Sequence, residues 1–188
     1  MGRIIITTNA SVDGVVQDPD GKEGFERGGW FTASDAGDLE AWTALETQEA
    51  MDASALLLGR RSDAWFAERW LPRTGAWPDR LNGMPKYVVS STLDRPRWSN
   101  ATVLRGVQDV AQVKQEIDGE ILVYASYELS RALLEHELAD ELRLVVFPVM
   151  LGAGRRLFDE LGDERRMRLI EARTTGAGLA YFRYALLT

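Results

Sequence analysis

The hydrophobic pattern changes period along the chain, so that short strand-like runs alternate with helical segments. Arg3–Thr8 (RIIITT) is a β-branched run and predicts a first strand. Ala55–Leu58, Lys86–Ser90 (KYVVS), Thr102–Leu104 and Ile121–Tyr124 predict further buried strands. Between them, Asp38–Ala53 carries Leu39, Trp42, Leu45, Glu49 and Met51 on an imperfect helical face. Gly59-Arg60-Arg61-Ser62 can start a helix that runs through Phe66, and Val107–Ile117 sets Val110, Val113 and Ile117 on one side. Leu71–Pro85 holds three prolines and reads as a surface connection. Gln17–Gly37 is rich in Gly, Asp and Pro and reads as a long loop, yet it carries Phe25, Trp30 and Phe31, which either pack the loop down or wall a ligand pocket.

The stretch Glu120–Phe158 organises the rest. Its first strand, Ile121–Tyr124, leads to Ser126 at the position of a helix N-cap. Leu129, Leu133 and Leu138 then recur near helical spacing, widened by Ala132 and Leu134. Leu142–Val149 is a second strand, and Leu151-Gly152-Ala153-Gly154 is a turn that opens a short basic–apolar segment, Arg155–Leu161. Strand, turn, helix and strand make a βαβ unit. A helix start beside a strand's C-terminal end suits an anion, because its first N–H groups are unpaired and the helix dipole is positive there. Met167–Thr175 and Leu179–Leu187, joined by Thr175-Gly176-Ala177-Gly178, predict a closing antiparallel hairpin. The whole indicates an α/β domain with a mostly parallel sheet of about eight strands and an antiparallel edge.

Composition narrows the chemistry. The 188 residues suit one domain, and a net charge of −7 argues against a nucleic-acid or anionic-membrane surface. There is no cysteine, which excludes disulfides and thiolate metal sites, and the one histidine, His136, makes a histidine-built metal site improbable. No apolar run approaches the length of a membrane span, and a cytoplasmic protein is expected. Three strand ends share one pattern, an apolar strand followed by small, hydroxyl or basic residues: Leu58-Gly59-Arg60-Arg61-Ser62, Val89-Ser90-Ser91-Thr92 and Tyr124-Ala125-Ser126. In open α/β sheets ligands bind outside the carboxyl ends of strands, and arginines can grip phosphate in bidentate fashion, so these ends together predict a phosphate-rich nucleotide site.

Order and spacing of several motifs carry a resemblance that covers nearly the whole chain. They are Ser11-Val12-Asp13-Gly14, Leu56-Leu57-Leu58-Gly59-Arg60-Arg61-Ser62, Lys86-Tyr87-Val88-Val89-Ser90-Ser91-Thr92, and Leu133-Leu134 through Leu138-Ala139-Asp140-Glu141-Leu142 to Pro148-Val149-Met150-Leu151-Gly152-Ala153-Gly154-Arg155-Arg156-Leu157-Phe158. The sequence resembles the dihydrofolate-reductase-like family that includes the reductase domain of the bifunctional riboflavin-biosynthesis deaminase–reductase. The resemblance implies a single domain over 1–188 and a three-layer α/β/α sandwich. It implies an NADPH-dependent reductase that passes a hydride to a small heterocyclic or carbonyl substrate, similar to 5-amino-6-(5-phosphoribosylamino)uracil reductase and dihydrofolate reductase, and a homodimer. It implies that Gly59, Arg60, Arg61 and Ser62 meet the cofactor phosphates and that Ser90 and Ser91 lie by the adenosine and its 2′-phosphate. Ala125, Ser126 and Tyr127 offer the helix start to the pyrophosphate, and Asn9, Ala10, Gly14 and Val15 line the nicotinamide. Asp13 is the candidate catalytic residue for substrate orientation or proton handling, set against a plain turn former. The chain departs from the family where Ala125 replaces a usual glycine, where Tyr127 is bulky and where Glu128 puts a negative charge in the first helical turn. Those departures sustain an alternative, a non-catalytic nucleotide- or metabolite-binding protein on the same fold.

Overall fold

The computed structural model describes residues 1–159 and 162–187. Among the described residues, eight strands form a mixed sheet in the order β4-β3-β2-β5-β1-β6-β8-β7, with five helices between them. The strands are β1 (Arg3–Ser11), β2 (Ala53–Gly59), β3 (Lys86–Val89), β4 (Ala101–Leu104), β5 (Glu120–Tyr124), β6 (Glu141–Phe147), β7 (Met167–Thr175) and β8 (Leu179–Leu186). The helices are α1 (Ala36–Asp52), α2 (Arg60–Trp70), α3 (Ala76–Gly83), α4 (Gln108–Glu116) and α5 (Tyr127–Glu135). This is the α/β fold with a parallel region and a closing antiparallel pair that the pattern predicts. The basic–apolar segment predicted over Arg155–Leu161 is a bridge and turn as far as Asp159, and Leu161 lies outside the described residues.

The chain forms two compact units. One comprises Met1–Thr7 and Thr47–Glu141. In it β1, β5, β2, β3 and β4 pair in parallel, with Thr7 opposite Tyr124, Leu57 opposite Val123 and Gly59 opposite Val89. The registers bring the C-terminal ends of β2, β3 and β5 to one edge. Ile5, Leu56, Leu58, Leu122 and Tyr124 share a core with Ala67 and Trp70 of α2 and with Leu81 and Met84. The second unit comprises Thr8–Glu46 and the chain from Leu142 onward. Its core is aromatic: Trp30, Phe147 and Tyr181 with Val15, Val145, Leu151 and Leu179. The loop aromatics therefore pack, since Trp30 is buried edge-on against Phe147 and donates its indole N–H to Gln17 O at 2.9 Å. Asp18, buried within that loop, accepts from the N–H groups of Glu23 and Phe25 and gives the loop a polar centre.

Three expectations change. The segment Leu71–Pro85 is not merely a surface connection, because it contains α3, in which Leu81 is fully buried. Pro78 sits in the first turn of α3, where its missing N–H has no partner to lose. Helix α2 runs on to Trp70, four residues past Phe66, because Phe66 stacks on Trp98 and Trp70 packs on Trp77. Helix α5 ends at Glu135, so Leu138 lies beyond it. The Leu138 N–H reaches back to Leu133 O and that of Glu137 to Leu134 O, with Glu137 at φ 55°, a left-handed close that satisfies the last carbonyls.

Lys86 opens β3 and is almost wholly buried at 1 % exposure. Its Nζ donates to Met84 O (2.8 Å) and Asn82 O (3.1 Å) and lies 4.7 Å from the centre of the Trp98 ring. Burial pulls its pKa from 10.5 down to about 8, against the opposing pull of the buried Asp63 carboxylate. Asp63 is itself held by the N–H groups of Arg97 (2.7 Å) and Trp98 (3.1 Å). Between the two values the unfolded chain binds a proton that the folded protein has lost, so stability rises with pH across that window. Urea denaturation at pH 7.5, 9 and 10.5 should show a gain on the order of 2 kcal/mol. The gain should vanish in Lys86→Met, and an equal slope in that variant would assign it to other groups.

Candidate functional site

In the first unit, the sequence places three turns at the ends of neighbouring parallel strands, and the structure ties two of them together through one hydroxyl. The Gly59 N–H donates to Ser126 Oγ at 3.0 Å, and the Ser126 hydroxyl donates to Ser62 Oγ at 2.8 Å. Ser126 stands at the N-cap of α5 as predicted, but its side chain does not cap. The hydroxyl is engaged across the sheet edge instead and makes no capping hydrogen bond to α5. Ser62, accepting from Ser126, keeps its own proton to donate. Gly59 has φ −81°, open to any residue, and an added Cβ would meet nothing nearer than Ser126 Oγ at 3.7 Å. The chain's own packing therefore makes no demand for glycine there, and its absent side chain leaves room above the strand end.

Ala125 and Ser126 both have positive φ, 50° and 52°. That region is free for glycine, while a Cβ brings it a penalty of about 1 kcal/mol. Ala125 is exposed, so no packing requires its methyl. Tyr127 is half-buried and Glu128 exposed in the first turn of α5.

The β3 turn joins this edge. Ser90 Oγ accepts from the N–H groups of Leu93 (3.1 Å) and Thr92 (3.4 Å), which shapes the turn, while Ser91 is exposed. Arg60 Nη1 donates to Thr92 Oγ1 at 3.3 Å and so bridges the β2 and β3 ends. Arg61 is exposed and has no partner among the described residues. Arg105, outside the predicted site, leaves the end of β4 and donates to Leu93 O at 2.9 Å. Its sequence signal was the same apolar-strand-then-basic pattern, in Leu104-Arg105-Gly106.

The remaining predicted residues lie in the second unit. Asn9 and Ala10 end β1, and Asn9 Oδ1 accepts from the Trp42 indole at 2.9 Å. Ala10 and Val15 are buried, with Val15 in the aromatic core, so their side chains serve packing. Gly14, at φ 81°, closes the turn by donating to Ser11 O at 2.9 Å. The Asp13 carboxylate accepts from the Ser11 hydroxyl (2.8 Å) and the N–H groups of Leu151 (3.0 Å) and Gly152 (2.8 Å). Arg156 adds a long ion pair at 3.8 Å. The Leu151 and Ser11 bonds, then that of Gly152, hold its pKa down to about 2. Asp13 is thus ionised at neutral pH and has no proton to give; what the structure shows is a clamp between the 11–15 turn and the Leu151–Gly154 turn. Asp38, in the first turn of α1, accepts from Ala177 and Gly178 N–H and secures the β7–β8 turn.

Comparison with known proteins places the family. The model of the RibD C-terminal domain matches residues 3–181, and the chain belongs to that family. The uncharacterised protein YyaP of Bacillus subtilis is 25% identical over 194 residues, covering 97% of this chain and 94% of that protein. A putative riboflavin biosynthesis protein from Shewanella sp. PV-4 shares the fold at a TM-score of 0.70 and 18% identity, with 99% of each chain covered. Dihydrofolate reductase from Enterococcus faecalis, solved with NADP(H), shares it at 0.59 and 14%, covering 99% of this chain and 97% of that one.

Ala125→Gly should raise stability by about 0.5 kcal/mol, the left-handed penalty less the extra freedom of an unfolded glycine. A urea midpoint equal to or below that of the parent would contradict a strained Ala125.

Proposed function

We propose that the chain is an NADPH-dependent reductase that passes a hydride to a small heterocyclic or carbonyl substrate. One observation carries the reading: the uncapped start of α5 stands beside a strand end that offers the Ser62 hydroxyl, Arg60 and an unpartnered Arg61. The RibD C-terminal family and the NADP(H) of the dihydrofolate reductase relative support it. The residues fit a dinucleotide at its phosphate end, since helix N–H groups, a hydroxyl donor and a free guanidinium are the donors that phosphate takes. Bound there, the dinucleotide supplies the hydride. Arg61 and Ser62 hold charge, and Arg60, anchored on Thr92 beside Ser90 and Ser91, favours the additional phosphate that distinguishes NADPH from NADH. With Asp13 ionised and clamped, the product's proton comes from water.

A second reading, a nucleotide- or metabolite-binding protein without catalysis, is favoured by Ala125 and Glu128. The first narrows the pyrophosphate turn with a methyl, and the second sets a negative charge against a bound anion. Titration with NADPH and with NADH, read by quenching of tryptophan fluorescence, tests the cofactor site, and steady-state oxidation of NADPH with a carbonyl acceptor separates the two readings. NADPH should bind at least about tenfold more tightly, and Arg60→Ala and Arg61→Ala should each weaken it by about tenfold. No saturation by either cofactor up to about 1 mM would reject the reductase reading in favour of the second.

We also propose that the protein is a homodimer through β7. That strand ends the sheet and exposes Met167, Leu169 and Ile170 on both its faces, an apolar edge that a monomer leaves open to pairing. Sedimentation equilibrium at micromolar concentration should return twice the 21.0 kDa chain mass; a monomer at every concentration would refute the dimer.

A further inference from the structure

The long loop after β1 is fastened to itself. The Asp18 carboxylate accepts from the N–H groups of Glu23 (2.9 Å) and Phe25 (3.0 Å). The Asp18 carbonyl accepts from those of Gly21 (3.2 Å) and Gly29 (2.9 Å), and Phe31 N–H joins Pro19 O at 3.0 Å. Bonds that tie residue 18 to residue 29 make the stretch between them a compact surface loop whose ends meet. A segment closed in this way leaves its seat as one body rather than by unravelling.

Two side chains hold it to the turn Leu151–Gly154, and that turn is shaped to take them. The half-buried Phe25 ring lies so close over Gly154 that a Cβ there would stand 2.9 Å from it. Gly154 is also at φ 110°, so space and backbone angle both call for glycine. Arg27 donates to the Leu151 carbonyl and lies beside Gly152, where a Cβ would come 3.2 Å from Nη1. Leu151 is therefore used twice: its C=O takes Arg27, and its N–H holds Asp13.

We propose that residues 18–29 form a latched strap, seated by Phe25 and Arg27, and that Leu151 couples it to the 11–15 turn. Lifting the strap slackens the Leu151–Gly154 turn and releases the Asp13 carboxylate from its backbone donors. The coupling is short, since the backbone of one residue carries both bonds. It is also reciprocal: whatever parts Asp13 from Leu151 loosens the strap. The inference does not rest on the reductase reading, because every bond it uses lies within the second unit and none involves a cofactor.

Limited digestion with trypsin and native-state hydrogen exchange, both on the full chain, test it together. Lys22 lies in the strap, and a protease threads that segment only once it is clear of the surface, so cutting after Lys22 reports lifting. Exchange of the Leu151 and Gly152 amides, both bonded to Asp13, reports release of the clamp. Phe25→Ala should speed both readouts by about tenfold, and Arg27→Gln by about fivefold. Asp13→Asn, which touches neither Phe25 nor Arg27, should speed cutting after Lys22 by about threefold. The amide of Val145, buried in β6, should exchange at the parent rate throughout. Phe25→Leu keeps most of the bulk and gives the same comparison should Phe25→Ala not fold. Leu151 and Gly152 exchange that is unchanged in the strap variants overturns the proposal. So does cutting after Lys22 that is unchanged in Asp13→Asn. Val145 exchange that rises in parallel with the other readouts overturns it as well, since opening is then global unfolding rather than the lifting of a strap.

Discussion

Between Tyr124 and Tyr127 the chain leaves a strand and enters a helix within two residues, and both adopt the left-handed region to do so. The rest of the candidate cofactor site depends on that reversal. It aims the start of α5 at the strand edge, and it turns the Ser126 hydroxyl away from its own helix toward Gly59 and Ser62. A serine that capped α5 would satisfy one of the helix's first N–H groups and close the site to an anion. A serine that ties β2 to β5 fixes the spacing of two turns and leaves the helix without a side-chain cap from its own N-cap residue. The same reversal makes position 125 suit a glycine, so Ala125 weakens the local structure by an amount that ligand contacts need not repay.

The β-branched and apolar strand runs were legible in the sequence because a buried parallel strand is a continuous apolar run, and the closing hairpin because its turn is rich in glycine. The coincidence of three similar strand ends on one edge was legible too, since parallel strands all bring the same end to the same side. What was not legible depends on partners far along the chain. Asp13 reads as a turn former or a catalytic acid until Leu151 and Gly152, 138 and 139 residues later, supply the N–H groups that lower its pKa. Lys86 reads only as the head of a strand, and its burial follows from Met84, Asn82 and Trp98. The prolines at 72, 78 and 85 hid α3, because proline breaks a helix interior but suits its first turn, and nothing local says which applies.

The charge balance takes on a different meaning once the site is placed. A protein with a net charge of −7 repels free anions at long range, yet Arg60, Arg61 and Arg105 collect at the ends of β2 and β4. Long-range repulsion is screened within about 8 Å at physiological ionic strength, whereas a bidentate contact acts at hydrogen-bond distance. At contact distance the local cluster therefore outweighs the overall charge, which bears on solubility and on nonspecific binding to nucleic acid.

Asp13 and Asn9 show how the chain uses its own polar groups where it leaves the sheet. Asn9 lies near the end of β1 and Asp13 two residues past it. Asp13, the charged one, is consumed by the chain: three donors and an arginine hold it, and it serves to fasten one turn to another. Asn9, the neutral one, receives a single bond that uses its oxygen and leaves its donors unspent. A carboxylate free to move takes its protonation from whatever approaches it, whereas one fastened by backbone N–H groups keeps its charge for the fold. An amide held through its oxygen likewise keeps one orientation. Clamping Asp13 and anchoring Asn9 on Trp42 therefore fixes both polar groups in place, an arrangement that suits holding two turns together better than acid–base work.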